Sequence, residues 1–436
     1  MKAKRSIAFI LCLTTVVTLI ACNADVAETY PTEEKKDYSE FAGIVADPVT
    51  WYEDFQNLPV ANADMTTDEL RQLAVDAFKA DLTFQWTPNE SISYTYDLGD
   101  AKLPVGTAYS GLCYCTGIRN ATFGNLYKVL NFYDPETGVL DVKSMGDNML
   151  GILSSACAYG AQQGWNRVSN SHGLARMESY NMFDSNIVPV GNYTYAPYIY
   201  DYNFATKTAS LQIIEHNGEE VIYEAYAQML FGDGLYSSHW WHVGMCAVNP
   251  VVVRKADGSI DPDQSYILTL EQCATGTNHP ELAQKQSNGV DIRHLGSVEL
   301  KHTFKELLEM GYIPFTIKEF LGEEPVEPGE AWLGTETTAL ENGQDFTVSQ
   351  LFGKSLFTNY ALCNLELTVK TPDGKVLFSY DPMIVTAPWT YQVQLSEVTG
   401  LPQLTPYANG KNTISIYAQL ANGELVEAYK TILKTD

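Results

Sequence analysis

The first hydrophobic run of the chain lies at its N-terminus. Met1–Arg5 is basic, Ser6–Ile20 is apolar, and the run closes on Leu19-Ile20-Ala21-Cys22. It is too short for a comfortable membrane span, and its order of charge and apolarity is that of a secretory signal. Asn23–Gly43 is polar and acidic, without apolar period, and predicts a flexible tether. From about Asp47 aromatic residues appear and folded structure is expected.

Helical spacing then shows in Leu70, Leu73, Ala74, Ala77 and Phe78, behind the capping box Thr66-Thr67-Asp68-Glu69. This helix should end near Asp81–Thr83, before Trp86-Thr87-Pro88. In Gly151–His172 the apolar positions Ala158, Ala161, Trp165 and Val168 form one stripe. They predict a helix with Cys157 in its first turn and Ser154 or Ser155 as N-cap. Gly160 and Gly164, four apart, let another backbone come close. Tyr127–Tyr133 and Val139–Val142 are short apolar pieces around the turn Asp134–Gly138. Ile187–Tyr202 reads as loops with edge strands.

Ser210–Glu215 and Val221–Tyr226 flank Asn217-Gly218, which predicts a β-hairpin. Ser238–Val248 and Tyr266–Gln272 read as strands, with a hairpin turn at Ala256–Ser259 between them. Thr303–Met310 predicts a helix with a second capping box and Gly311 as its stop, and Tyr312–Ile317 a further strand. Phe320–Glu330 is acidic and proline-bearing, the composition of a domain boundary. Beyond it come strand-like runs at Cys363–Val369, Lys375–Ser379, Ile384–Ala387, Tyr391–Leu395 and Thr413–Ala418, with turns at Asp373-Gly374 and Asn422-Gly423. This pattern predicts a β-sandwich of immunoglobulin-like size that binds or braces.

Charge narrows the functions. Lys and Arg total 27 against 53 Asp and Glu, a formal net charge of -26. Such a surface repels phosphate, which argues against nucleic acid as a partner. Of the eight cysteines, none forms a C-x-x-C pair, and Cys113-Tyr114-Cys115 is poorly spaced for zinc. Disulfide pairing stays open.

Cys157 sits where the positive end of a helix favours thiolate, which makes a nucleophile when a base stands nearby. A buried structural cysteine is the alternative. His242 heads a glycine-containing strand, and Glu271 or Gln272 lies on the strand expected beside it. Strand alternation allows only one of the two to serve, with Glu271 preferred. His239 should face away from His242. His172 follows the cysteine helix and stands either in the cleft or in solvent. His216, His279, His294 and His302 sit in polar contexts that predict solvated side chains.

The order helix-Cys, strand-His and polar residue on the next strand resembles the NlpC-like cysteine peptidases of the papain-like superfamily. His242-Val243-Gly244-Met245 is similar to that family's His-Val-Gly-Ile strand. Gly111–Gly117 is similar to its Gly-x-Pro-Tyr-x-x-Gly loop, with Cys113 in place of proline. The resemblance covers roughly Thr66 to Ile317 and is specific at three short stretches. It departs at Ala156 and Ala158, where the family reads Asp before the cysteine and Ser or Gly after it. An alternative frame places Ser154 at the nucleophile position.

The resemblance implies an α+β papain-like domain whose cysteine helix packs on an antiparallel sheet. It further implies Cys157, His242 and Glu271 as catalytic residues, Tyr114 lining the site with Tyr109 near it, and no metal or organic cofactor. The substrate it implies is an amide bond of peptidoglycan stem peptides, or another envelope peptide or glycan. Leu-Ile-Ala-Cys resembles a bacterial lipobox, which implies an exported protein lipid-anchored to a bacterial membrane through Cys22. The expected organisation is a signal peptide over 1–21, a tether over 22–45, the hydrolase domain over 46–322 and the sandwich over 330–436. Two other functions fit the same residues: a catalytically inactive binding lipoprotein, motivated by the flanking alanines, and a lipid-directed acyl hydrolase or transferase, motivated by Glu271.

Overall fold

The computed structural model describes residues 54–96, 99–115, 126–170, 186–195, 208–273, 284–285, 291–341, 343, 345–380, 390–398 and 401–435, all within the unit Phe41–Asp436. The segments expected to be a signal sequence and a tether, with Cys22 between them, and the run Ile384–Ala387 lie outside them. The architecture is mixed α+β with several sheets.

A long helix, Thr67–Thr83, opens on the anticipated capping box. Thr66 N–H donates to Glu69 Oε2 at 2.8 Å, and Glu69 N–H donates to Thr66 Oγ1 at 3.3 Å. Two backbone donors that the helix leaves free are thereby satisfied. Its inner face buries Leu70, Leu73, Ala74 and Phe78, the positions that the spacing marked.

The cysteine helix, Cys157–Trp165, lies between that helix and a sheet. Its two glycines permit the fit. A Cβ on Gly164 would stand 2.6 Å from the Ala74 carbonyl oxygen and 2.8 Å from Met245 Cε. One on Gly160 would stand 2.8 Å from the Phe78 ring and 2.9 Å from Gln272 Cβ. The N-cap differs from expectation. It is Ala156, with no side-chain bond, because Ser154 and Ser155 are drawn into a short strand parallel to Cys113–Tyr114. The Ser154 hydroxyl donates to the Leu150 carbonyl instead.

The central sheet is antiparallel throughout. Its strands run in the order Ser297–Thr303, Tyr266–Glu271, His242–Cys246, Gly234–Ser237, Ile313–Ile317 and Ile187–Pro189. Three of these neighbours come from well-separated parts of the chain, so pairing alone brings their side chains to one face. The helix Phe304–Glu309 carries the second capping box as expected.

The segment around Asn217-Gly218 is not a hairpin but two helices, Ala209–Asn217 and Glu219–Ala227. Their buried residues fall three and four apart: Ala209, Ser210, Ile213 and Ile214, then Ile222, Tyr223, Ala225 and Tyr226. That is helical period, and it overrides the local turn preference of Asn-Gly. Gly218 takes the left-handed φ of 83° that ends the first helix. The Asn217 amide donates to the carbonyls of Ile213 and Thr194, both at 2.8 Å.

A smaller mixed sheet joins Gln85–Pro88, Ala108–Ser110, Asp291–His294 and the short strands Tyr133–Asp134 and Val139–Leu140. Its own core holds Phe84, Trp86, Tyr109 and Leu112.

Residues 331–435 form a four-stranded and a five-stranded sheet over a separate apolar core. Leu365, Leu367 and Val369 alternate inward along Leu362–Lys370, as do Ile414, Ile416 and Leu420 along Thr413–Leu420. Each such side chain, fully buried, contributes roughly 1.5–3 kcal/mol. The turns at Asp373-Gly374 and Asn422-Gly423 stand where expected, with φ of 87° and 100° at the glycines. The stretch also holds a short helix, Val348–Phe352, with a capping box of Thr347 and Gln350.

Candidate functional site

His242 begins its strand and Gly244 follows on the same face. The neighbouring strand, Tyr266–Glu271, pairs through Met245 with Leu270 and Cys246 with Thr269. This register brings Glu271 opposite Gly244. A Cβ at 244 would press to 3.3 Å from Glu271 Cγ, so the glycine leaves room for the carboxylate to reach the imidazole. His242 Nε2 and Glu271 Oε2 stand 2.8 Å apart. With Nε2 engaged, Nδ1 is the ring nitrogen left to meet Cys157.

Cys157 reaches the same place from its helix. Its thiol donates to the Trp241 carbonyl at 3.5 Å, next to His242, and Cys157 is among the groups that raise the His242 imidazole. Trp241 holds this carbonyl with φ at 53°, a left-handed backbone in a bulky residue. Such strain, of order 1–3 kcal/mol, persists only where surrounding structure enforces it. Tyr312 stands edge-on to the His242 ring, centroids 6.4 Å apart.

Burial opposes charge on both His242 and Glu271, and their charged neighbours outweigh it. The imidazole is held well above its ordinary value, with Cys157 adding to the effect of Glu271. The Glu271 carboxyl is held well below the usual carboxylate range against its burial, by His302 first and His242 next. Burial, followed by the nearby Glu271 and Cys157, pushes the Tyr312 hydroxyl well above the usual tyrosine value.

Sequence reasoning missed His302. It is buried, 3% exposed, not solvated, and its Nε2 stands 2.7 Å from Glu271 Oε1. Thr269 Oγ1 donates to the same oxygen at 2.6 Å. Leu300, His302 and Phe304 alternate, which was the available signal that His302 faces inward. The flanking polar residues Lys301 and Thr303 masked it.

The other predicted residues separate. Gln272 points to the opposite face, where its Nε2 donates to the Leu112 carbonyl at 2.9 Å; strand alternation removes it from His242. Tyr109 is fully buried against Trp86 in the core of the smaller sheet, centroids 5.0 Å apart, and lines no cleft. Tyr114 is half-buried and pairs with Ser155, two residues before Cys157; its carbonyl accepts from Tyr94 OH at 2.9 Å. Ser154, the alternative nucleophile, is spent on Leu150 one turn back along the chain. His239 and His216 are exposed. His172, His279 and the His294 side chain lie outside the described residues.

Among the described residues the cysteines 113, 157, 246 and 363 are free thiols. No group of three or more His, Cys, Asp or Glu among the described residues is arranged to hold a metal ion. The arrangement can do nucleophilic chemistry: a thiol at an uncapped helix start, an imidazole beside it, and a carboxylate behind the imidazole. No family model, characterised protein or solved structure compared with the chain matches it.

Proposed function

We propose that the protein is a cysteine hydrolase of the NlpC-like, papain-like kind, cleaving amide bonds in peptidoglycan stem peptides. The observation that carries this reading is the 2.8 Å contact of Glu271 with His242, on the strand against which the Cys157 helix packs. In this reading the thiol proton passes to His242, and the Cys157 thiolate so formed attacks the substrate carbonyl. The Cys157 backbone N–H donates to the resulting oxyanion, at a helix start that no side chain caps. His242 then protonates the leaving amine, and the C–N bond breaks to give a thioester. Water, deprotonated by His242, cleaves the thioester and restores the thiol. Glu271 orients the ring and stabilises the imidazolium throughout.

The proposed setting is the bacterial envelope, with residues 46–322 as the catalytic domain, 330–436 as an attached sandwich and a lipid anchor at Cys22. The test is turnover of purified muropeptides by the protein and by Cys157→Ala. New amine termini released by the first and not by the second support the reading, and equal release by both ends it.

One observation favours a second reading. The residue behind His242 is Glu271, the residue type of a lipid-directed branch of the superfamily, and not Gln272. Turnover of a phospholipid or acyl ester that depends on Cys157, with muropeptides untouched, would select an acyl hydrolase or transferase.

A further inference from the structure

The carboxylate behind His242 has a second imidazole behind it. Glu271 Oε2 meets His242, while Oε1 meets His302 at 2.7 Å and Thr269 at 2.6 Å. The three residues His242, Glu271 and His302 come from three successive strands of the central sheet. The ladder slips between Thr269 and Glu271, whose partners are Leu300 and Ser297, and Glu299 takes φ of 59° in the slip. A bulge of this kind re-aims side chains beside it.

Ionised Glu271 only accepts, so His302 Nε2 carries the proton of their bond. His302 Nδ1 is buried and has no hydrogen-bond partner among the described residues. A proton there would leave a buried N–H unmatched. These contacts put the His302 Nε2–H on Glu271 Oε1. That bond fixes the carboxylate oxygen that His242 does not use.

We propose that His302 is a positioning residue of this site: as a donor to Glu271 Oε1, it holds the other carboxylate oxygen on His242 and so sustains the pairing of His242 with Cys157. The proposal rests on the reading of Cys157 and His242 as nucleophile and base. The groups that face the carboxylate are His242, His302 and Thr269, with Tyr312 and Cys157 beside them and Cys273 near Tyr312.

The experiment is the pH dependence of Cys157 alkylation by iodoacetamide in the intact protein, in His302→Gln and in His302→Phe, followed by peptide mass mapping. Thermal melts of each establish that it is folded. The expected result is that His302→Phe moves the onset of rapid alkylation upward by about one pH unit, about a tenfold loss of thiolate at fixed acid pH. His302→Gln, whose amide can still donate to Oε1, keeps the onset near that of the unmodified chain. An unmoved onset in folded His302→Phe overturns the proposal, as does a shift in His302→Gln as large as in His302→Phe. Early alkylation with no muropeptide turnover ends the substrate reading alone, and the His302 result then still decides the positioning role. A Cys157 that alkylates only as an ordinary thiol overturns both.

Discussion

The central-sheet half and the strand-rich end of this chain are stabilised by different means. In residues 331–435 the buried polar side chains are Thr358, Asn364, Asn412, Ser415, Asn422 and Thr431, and among the described residues there none is charged. In the half that carries the site, Arg71, Asp81, Lys128, Arg167, Asp233, Glu271, His302 and Glu319 are all buried. Burying a charge is unfavourable unless partners compensate, so each of these marks a place where the fold does something apolar packing does not need. Arg71 and Asp233 pair at 2.6 Å and tie the long helix to the turn before the central strands. Arg167, just past the cysteine helix, reaches the Leu58 carbonyl at 3.1 Å and Tyr127 OH. Its guanidinium also lies against Gly423 of the sandwich turn, where a Cβ would come within 2.5 Å. Burial pushes the nearby Lys128 down to about 8. Buried ionisable groups thus cluster at the candidate site and around it, whereas the buried polar side chains of the sandwich are uncharged.

Breaking the site should give the largest effect. Glu271→Gln keeps the volume and removes the charge behind His242. Turnover should fall by about 10²–10⁴-fold, by analogy with removal of an orienting carboxylate elsewhere. The same variant should change the pH dependence of stability. His242 is raised above its ordinary 6.5, so its contribution is full below that value and is lost as pH rises through the raised pKa. Glu271 is lowered below its ordinary 4.5, so its contribution is full above that value and is lost as pH falls through the lowered pKa. Thermal melts should therefore show the widest gap between the parent protein and Glu271→Gln between those two values, closing on both sides. A gap that stays constant from acid to alkaline pH would show that the pair is not coupled.

Next in size is the structural ion pair. Arg71→Ala leaves Asp233 buried without its cation and should lower stability by about 3–5 kcal/mol in urea unfolding. Arg71→Met with Asp233→Leu should recover most of that loss, because two apolar groups need no partner. No recovery in the double variant would mean that the pair contributes more than mutual neutralisation.

The sandwich gives the smallest and simplest response. Leu365, fully buried, should cost about 2–5 kcal/mol on truncation to alanine, from lost burial and the cavity left behind. The folded fraction should turn over substrate as before. A loss of turnover per folded molecule, read by active-site titration of Cys157, would mean that packing in the sandwich reaches the site and that the two halves are not independent.

Local chemistry was legible in the sequence. Two capping boxes, the glycine-marked turns at Asp373-Gly374 and Asn422-Gly423, the apolar stripe of the cysteine helix and the face choice between Glu271 and Gln272 depend on neighbours a few residues away. The helices at Ala209–Asn217 and Glu219–Ala227 were misread because Asn-Gly suits a helix stop as well as a hairpin, and burial of the three- and four-spaced residues decided between them. Ser154 and Ser155 were misread for a related reason. Serine caps helices well, but pairing with Cys113–Tyr114 claimed their backbone first.

The sequence by itself determined the two capping boxes, the glycine-marked turns of the sandwich and the opposite faces of Glu271 and Gln272, because these depend on near neighbours along the chain. Only tertiary structure decided what meets what. His242, Glu271 and His302 lie far apart along the chain and come together through the order and register of three antiparallel strands. Tyr109 was drawn into a core by the packing of a second sheet, and His302 was brought to Glu271 by the first. Long-range pairing carries no local signature, and a one-residue slip in register would have turned every one of these side chains to the other face.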